Sequence, residues 1–586
     1  MAAPRKPRTK SESPAPALPL EQPGWKAWQV LLLALGSLVV VLELYGPAMN
    51  GPFLLDDTYQ LFGRPDVAAF RLRHWINNVR PLLNLSFYVN YQMSGSDTSS
   101  YHVVNVLLHW VNAALVFFIL RRMLRTVAAP QEGGWRNDMA PLAGAALFLL
   151  HPVQTESVAY VSSRSEVLSV LPGYAALLVF LSRPQPAISW LRSAVVIVLF
   201  GAAVLTKEHV AALPAVFLLA DLFFHPAGPN HPAGPLQGIK SNWRLYVPLV
   251  AAAALGLRFV AKTLSTASTA GFGLRGLSWY EYFFTQWRMF WNYLLLMVFP
   301  AGLNIDPDVA ISRTAFDHGA IVGGIAIVAL LAAAFVFRRR FPLACFGILT
   351  FIVLLAPTSS VVPIRDVFAE RRLYLPMIGL LIAALEGLRR VNFRENASVA
   401  AVVAILAVAS YVTWQRAHVW SSGLALWEDS VAKSPAKYRP RFQYAYALYT
   451  DQRCTEASEQ YAKAAALDRR PGERLIVDWA LALDCAGRTA EALEKLQAAT
   501  KTHPTGVVFM NLGMIYGKTG RAEEALAALA EAEKRNPRFA QIYAFRGNVF
   551  LSQDKVREAA EQYSRALRLD PANQAALHGM RAITGQ

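Results

Sequence analysis

Eleven runs of mostly apolar residues recur between Trp28 and Val412, at 28–48, 102–121, 138–154, 165–182, 188–206, 209–225, 245–263, 318–337, 341–357, 373–388 and 397–414. A helix needs about 20 such residues to cross the hydrocarbon core of a bilayer. Only closed backbone hydrogen bonding survives there, so an all-α, polytopic membrane domain is expected over 26–414. Residues 1–25 are Pro-rich and basic (Arg5, Lys6, Arg8, Lys10) and show no periodicity, which reads as a disordered tail and not as a cleaved signal peptide.

A twelfth run, 279–300, is rich in aromatics but carries Glu281, Gln286, Arg288 and Asn292. Cytoplasmic loops are enriched in Lys and Arg, and this rule decides how to treat it. With eleven spans and the N-terminus inside, Arg121-Arg122 with Arg125, Lys240 to Arg244, Arg338 to Arg340 and Arg389 to Arg394 all face the cytoplasm. A twelfth span would move the last two clusters outside. Residues 279–300 are therefore expected to form an interfacial or re-entrant helix. The loops 49–101, 155–164, 264–317 and 358–372, the turn at 207 and everything after residue 415 then face away from the cytoplasm.

The net charge is +17 at 586 residues, which raises the question of nucleic acid. The basic residues sit in short clusters between apolar runs, and no nucleic-acid-binding signature is present, so membrane lipids are the expected partner and nucleic acid is not. A 54% hydrophobic content excludes a disordered or fibrous chain, and three cysteines exclude a disulfide-scaffolded one.

From 415 to 586 the composition turns to Ala, Glu, Arg, Lys and Leu. Glu-Ala pairs recur at Glu456, Glu491, Glu524 and Glu558, and prolines recur at Pro435, Pro471, Pro504, Pro537 and Pro571. This period of about 34 residues is that of tetratricopeptide repeats. Four repeats are expected, at 437–471, 472–504, 505–537 and 538–571, followed by a capping helix. Such stacks form concave grooves that hold peptides or partner helices. Cys454 and Cys485 fall near turns of neighbouring repeats, and either a disulfide or two free thiols fits the sequence.

Polar residues that look out of place collect at span ends on the outer face. The first outer loop opens with Asp56 and Asp57 and continues to Arg80. His102 starts the second span. His151 and Glu156 follow the third, with Arg164 beyond them. Lys207 and Glu208 follow the fifth, and Arg365, Glu370, Arg371, Arg372 and Tyr374 precede the tenth. A carboxylate at an apolar boundary can serve as a base. The positive-inside rule disfavours basic residues here, so convergence of Arg80, Arg164, Lys207, Arg365, Arg371 and Arg372 suits an anionic head group or phosphate. Interfacial anchoring and structural ion pairing are the competing readings. His151 and Glu156 lack the neighbouring ligands that a metal site needs, so none is expected.

The order Asp56-Asp57, Arg80-Pro81-Leu82 to Phe87, Tyr101-His102 to His109, His151-Pro152 to Val158, Lys207-Glu208 and Ala369-Glu370-Arg371-Arg372 to Pro376 resembles the transmembrane and tetratricopeptide-repeat O-mannosyltransferases. That family has the GT-C glycosyltransferase fold, and the Ala-rich composition suggests a bacterial member. The resemblance implies transfer of mannose or another hexose from a polyprenyl-phosphate donor to Ser or Thr hydroxyls of proteins. It implies a multi-pass protein of a bacterial inner membrane with periplasmic repeats, or of the endoplasmic reticulum membrane with luminal repeats. The family pattern assigns the catalytic carboxylate to the acidic pair, with Asp56 as base and Asp57 as helper. Arg80, Arg164, Lys207, Arg365, Arg371 and Arg372 would hold the donor phosphate. His102, His151, Glu156, Glu208, Glu370 and Tyr374 are further site candidates.

The chemistry is consistent with these residue types. A hydroxyl attacking an anomeric carbon loses a proton to one base. A lipid phosphate leaves as an anion and needs cations, not a general acid. One-step attack inverts the anomeric centre, as in inverting glycosidases. No cofactor is required, and a divalent metal is left open. The alternative is a non-catalytic membrane scaffold whose repeats gather secretion or envelope-assembly proteins. A transporter is disfavoured, because transporters place such charges near the bilayer midplane.

Overall fold

The computed structural model describes residues 25–64, 67–127, 136–183, 187–224, 235–253, 269–390, 395–468 and 470–585. Residues 1–24 of the basic tail expected at 1–25, the end of the basic cluster at 391–394 and the later part of the 245–263 run lie outside them. Among the described residues, α- and 3-10 helices carry the fold, and the one β contact is an antiparallel bridge between Ala270 and Ile364.

Five helices or helical stretches are long and apolar enough to cross a membrane: Ala27–Met49, Thr98–Val127, Val161–Leu181, Asp317–Val336 and Asn396–Val419. Shorter apolar helices are Asp138–Leu150, Trp190–Thr206 and Pro342–Leu355. The expected count of eleven therefore stands unconfirmed. Several of the runs are interrupted. Residues 209–225 divide into a 3-10 turn, Glu208–Ala212, and a helix, Leu213–Phe224, while the helix Met377–Arg390 follows a 3-10 turn at Glu370–Leu373. Residues 279–300 form one helix, Trp279–Val298, whose Tyr282, Gln286, Met289, Phe290 and Tyr293 are buried.

The peripheral helices turn apolar side chains outward, including Leu31, Leu32 and Val39 on the first, Val322, Ile325 and Val328 on Ala320–Val336, and Val403, Ile405 and Val408 on Glu395–Val419. A continuous apolar surface of this kind belongs against lipid, which makes this a membrane protein. Inside, two helices touch at their backbones. A Cβ on Gly379 would sit 2.5 Å from the Gly347 carbonyl oxygen, so Pro342–Leu355 and Met377–Arg390 cross at paired glycines.

The two ends of the bundle sort the charges. At one end Arg121 pairs with Asp138 at 2.7 Å, Arg122 caps the Leu181 carbonyl at 3.0 Å and Arg389 pairs with Glu386 at 3.0 Å. At the other end the loops expected to face outward meet one another, as described below.

After Val419 the chain runs through the helix Gly423–Lys433 into a succession of paired helices. These are Tyr438–Thr450 with Cys454–Leu467, Glu473–Cys485 with Thr489–Thr502, Gly506–Lys518 with Ala522–Arg535, and Ala540–Leu551 with Val556–Leu569, closed by Gln574–Thr584. Each pair turns through one residue with positive φ: Gln452 at 59°, Gly487 at 78°, Gly520 at 77° and Asp554 at 59°. Glycine enters that region freely, whereas Gln452 and Asp554 are strained there. Cys454 and Cys485 form a disulfide, with Cα atoms 5.6 Å apart, that staples the first repeat to the second; Cys345 is free and buried.

Candidate active site on the outer loops

The acidic pair lies on a single 3-10 turn, Leu55–Tyr59. Its two carboxylates have different fates. Asp57 is 1% exposed, and one oxygen accepts from both the backbone N–H (2.7 Å) and the hydroxyl of Ser162, while the other accepts from the Leu54 N–H at 3.1 Å. Burial pushes the Asp57 carboxyl up to about 7, even though these hydrogen bonds pull it down. Asp56 is exposed, and its carboxylate takes no hydrogen bond or ion pair among the described residues. Its backbone N–H donates to the Tyr160 hydroxyl at 2.9 Å. Leu55, immediately before it, has φ at 53°, a strained conformation of the kind that gathers at functional sites.

Tyr160 is the hub of this region. It stacks on Trp420, at the end of the last long helix, with ring centroids 5.8 Å apart. It lies within electrostatic reach of Asp56, Asp57 and Arg371. Arg371 grips Glu156 through its backbone N–H (3.0 Å) and guanidinium, and its Nη2 reaches Asp366 at 3.1 Å. Burial works against the charge on Arg371, but Glu156 and Asp366 outweigh it and keep the guanidinium protonated. Asp366, raised by burial, is drawn down to about 2 by Arg371 and Arg439.

A second acidic–basic group stands alongside. Arg80 forms a two-pronged pair with Glu208 at 3.1 and 3.0 Å. Lys207 pairs with Glu166 and donates to the Ser165 hydroxyl at 3.2 Å, and His209 lies 3.3 Å from Glu166. Burial lowers Lys207, and it feels both Arg80 and Arg371, so the three cations share one electrostatic neighbourhood. Glu208, raised by burial, is held below its ordinary value by Arg80.

The residues singled out from the sequence thus divide. Asp56, Asp57, Arg80, Glu156, Lys207, Glu208 and Arg371 come together. Arg365 is exposed on the adjoining loop, and its backbone N–H bonds the Thr269 carbonyl at 2.9 Å. Arg164 is a correction to the expected cation ring. It is wholly buried, its donors engaged by Asn105 (2.8 Å), Asn90 (2.8 Å) and the Tyr101 carbonyl (2.9 Å), under the ring of Phe87. Arg372 is likewise buried against Tyr282 and the carbonyls of Asp366 and Val367. A guanidinium in that position organises the loop instead of meeting a ligand. His102 bonds the Gly51 carbonyl at 3.2 Å, His151 bonds the Met297 carbonyl at 3.1 Å, and Tyr374 is buried between His109 and Asn112 at 2.8 and 3.0 Å. These three tie helices together. Glu370 is buried beside Arg416, accepts from the Asn304 N–H, and is pushed up to about 7 by burial.

The repeats are anchored to these loops. Arg439, on the first repeat helix, pairs with Asp306 and, at 3.0 Å, with Asp366; Lys437 also pairs with Asp306. Asn304 bonds Ser434 and Ser430 at 2.8 and 2.7 Å. Arg416 pairs with Asp429 at 2.7 Å. An unbroken line of ion pairs therefore runs Arg439–Asp366–Arg371–Glu156. Sequence reasoning missed Tyr160, Trp420 and Arg439, none of which belongs to a recognisable local motif. Among the described residues no group of three or more His, Cys, Asp or Glu is placed to hold a metal ion.

A family model described as tetratricopeptide repeat matches residues 510–574. Over 471 residues the chain is 26% identical to the Caenorhabditis elegans protein O-mannosyl-transferase F38B6.6, covering 75% of this chain and 62% of that one. It is 23% identical over 544 residues to the Mus musculus protein O-mannosyl-transferase TMTC3, covering 84% of this chain and 57% of that one. The Drosophila melanogaster protein O-mannosyl-transferase Tmtc1 is 31% identical over 201 residues, 31% of this chain and 22% of that one. The chain thus spans about three fifths of the length of the first two relatives. Among solved structures, the tetratricopeptide-repeat protein YrrB aligns with a TM-score of 0.23 and 18% identity over 31% of this chain and 89% of that chain, too loose an overlap to carry an inference. Along most of its length this chain is similar to proteins named protein O-mannosyl-transferases of the TMTC type, and its C-terminal part carries tetratricopeptide repeats.

Proposed function

We propose that the chain is a membrane glycosyltransferase that moves mannose or a related hexose from a polyprenyl-phosphate donor to Ser or Thr hydroxyls of proteins, at the face where the outer loops and repeats meet. The observation that carries this reading is the pairing of one buried, fully hydrogen-bonded carboxylate, Asp57, with one exposed carboxylate, Asp56, unpartnered among the described residues, on the same strained turn. A base must reach the acceptor's proton, and its neighbour must hold the turn still. The similarity to O-mannosyl-transferases supports the substrate class.

In this mechanism the acceptor oxygen forms a bond to the anomeric carbon while its proton passes to an Asp56 oxygen. The bond from that carbon to the phosphate oxygen breaks, and the phosphate leaves with the electron pair. Arg80, Lys207 and exposed Arg365 would meet its charge; Arg371 holds Glu156 and Asp366 in position. Attack opposite the leaving group inverts the anomeric centre. No cofactor takes part in these steps. The repeats would recruit the acceptor protein. The Cys454–Cys485 disulfide supports placing them on an oxidising, non-cytoplasmic side: the periplasm in a bacterium, or the lumen of the endoplasmic reticulum.

A second reading has its own observation. Arg80, Lys207 and Arg371 each already hold an acidic partner, which is what a purely structural network would show and what a non-catalytic scaffold would need. The deciding experiment compares wild type with Asp56→Asn in a deletion background by mass spectrometry of non-cytoplasmic proteins. Hexose on Ser/Thr peptides that disappears with a stably inserted Asp56→Asn protein supports transfer. Equal hexose in wild type, variant and deletion strain removes it and leaves the scaffold.

A further inference from the structure

The bundle end opposite the Asp56 turn holds a corner built from two tryptophans and an arginine. The helix Trp190–Thr206 runs into Lys207 of the outer site, so its N-terminus lies about 25 Å away from that site. There Trp190 meets Trp243 edge to face, with ring centroids 5.3 Å apart. The Arg244 guanidinium lies over both rings, 5.5 Å from Trp190 and 5.8 Å from Trp243. The two segments are stitched together through Ile188, whose N–H donates to Asn242 at 2.9 Å and whose carbonyl accepts from Arg244 at 3.4 Å. Asn242 in turn donates to Asp221 at 2.8 Å, and Arg183 pairs with the same carboxylate.

This corner carries more positive charge than its own carboxylates balance. The stretches 167–207 and 222–280 contain no Asp or Glu, and Asp221, just before the second, is buried and occupied by Arg183, Asn242 and Tyr246. Arg192, Lys240 and Arg244 have no ion-pair partner among the described residues. The one hydrogen bond that Arg244 makes among those residues is the long one to Ile188, and its buried Nε has no partner. Two ring faces and one carbonyl hold the guanidinium, which leaves the remainder of its fork for a phosphate. Trp190 is 58% exposed and Trp243 48%. Beyond them exposed apolar side chains continue at helical spacing, with Leu191, Val195 and Val198 on one helix and Val247 and Val250 on the helical residues 243–253. Two lipid-facing stripes thus start at one pair of rings, with the cations at their head.

We propose that this corner is a binding site for a phospholipid with an anionic head group, its phosphate on Arg244 with Arg192 and Lys240 alongside, and its two acyl chains on the two stripes. Tryptophans at a membrane interface sit at head-group level, which puts the guanidinium between them at the depth of the phosphates. A zwitterionic head group brings its own cation and gains less from an unbalanced positive site, whereas an anionic one completes it. A free phosphate would use the cations and leave both stripes bare, and a single-chain lipid phosphate would cover one of them. The site is remote from Asp56 and does not depend on the transferase reading.

The test is native mass spectrometry of the full-length protein in detergent, titrated with phosphatidylglycerol, with phosphatidylcholine of the same acyl chains, with polyprenyl phosphate and with inorganic phosphate. The variants are Arg244→Gln and Trp190→Leu, the second of which alters an exposed side chain and spares the fold. Arg338→Gln, on an exposed basic turn elsewhere, is the control. Wild type is expected to hold phosphatidylglycerol about tenfold more tightly than phosphatidylcholine, and both variants should bring that ratio to about threefold or less. Arg338→Gln should keep the wild-type ratio. An undiminished preference in both variants overturns the proposal. An equal loss in Arg338→Gln overturns it too, since the attraction would then be to net charge and not to this corner. Polyprenyl phosphate displacing phosphatidylglycerol at a lower concentration than phosphatidylglycerol itself requires would overturn the phospholipid as occupant. Displacement by inorganic phosphate at a similar concentration would overturn the part assigned to the acyl chains.

Discussion

The Tyr160 hydroxyl accepts the Asp56 backbone N–H at 2.9 Å, joining positions 104 residues apart in the chain. Because the same ring stacks on Trp420, the turn bearing Asp56 is referenced to the end of the last long helix. Tyr160→Phe keeps the stacking and removes the hydrogen bond. Displacement of a reacting group by about 1 Å can cost about 100-fold in rate. Tyr160→Phe is expected to lower transfer by about 10- to 100-fold while costing stability only about 1 kcal/mol. Donor turnover and thermal unfolding, measured on one preparation, separate the two effects.

Asp57 supplies a pH signature. Its folded value, about 7, is above its ordinary value of 3.8, and burial is the first cause. The protonated form is thus favoured by folding, so this group's stabilisation is complete below about pH 4 and is lost as the pH rises through about 7. Asp57→Asn cannot titrate. Unfolding midpoints measured from pH 4 to 8 should fall less steeply in the variant than in wild type. A variant curve parallel to the wild-type curve would show that Asp57 does not contribute to the slope.

Arg439 bridges Asp306 and Asp366 from the first repeat. In Arg439→Ala, Asp306 keeps Lys437 and Asp366 keeps Arg371, so the fold should survive. The junction should loosen. Limited proteolysis is expected to cut between the bundle and the repeats at least several times faster than in wild type. An unchanged cutting rate would mean that Asn304 and Arg416 suffice for anchoring.

Gln452 occupies the positive-φ position that glycine fills at 487 and 520. An L-residue other than Gly is strained there by about 1–2 kcal/mol. Gln452→Gly is expected to raise the stability of the repeats by about 1 kcal/mol, offset in part by the entropy of the freer unfolded chain. Gly520→Ala is expected to lower it by a similar amount. Denaturant midpoints of the two variants should move in opposite directions.

Removing the Cys454–Cys485 staple, which closes a sequence separation of 31, should cost about 2–4 kcal/mol. Cys454→Ser should show it as a lower thermal midpoint of the repeats, and wild type under reducing conditions should approach the variant. Thiol labelling of denatured, unreduced protein should find Cys345 alone in wild type.

The repeats were legible almost residue by residue, because a 34-residue period repeats the same local decisions: a helix pair, a turn and a closing proline. Which loops share one end of the bundle was legible too. Loops assigned outward by charge counting are those joined by Asp57 to Ser162, Arg80 to Glu208 and Glu156 to Arg371. The number of spans was less accessible. Helices buried within a bundle need not be uniformly apolar, and short ones such as Leu213–Phe224 share a run with a 3-10 turn. The cations were the least legible. Arg80 and Arg164 look alike in sequence, yet one is accessible and paired with Glu208 while the other is sealed under Phe87. That difference is set by residues distant in the chain. Tyr160 was invisible for the same reason, since its importance lies in a backbone N–H it meets only after folding.

A repeat stack bolted at its first helix behaves as a jig and not as a hinged arm. With Arg439 and Lys437 clamped on Asp306, the near end of the groove keeps a constant stand-off from the bilayer whatever lies at the far end. Units appended to the distal cap would lengthen the platform without shifting the docking point. Alterations in the 301–317 loop, by contrast, would re-aim the whole platform.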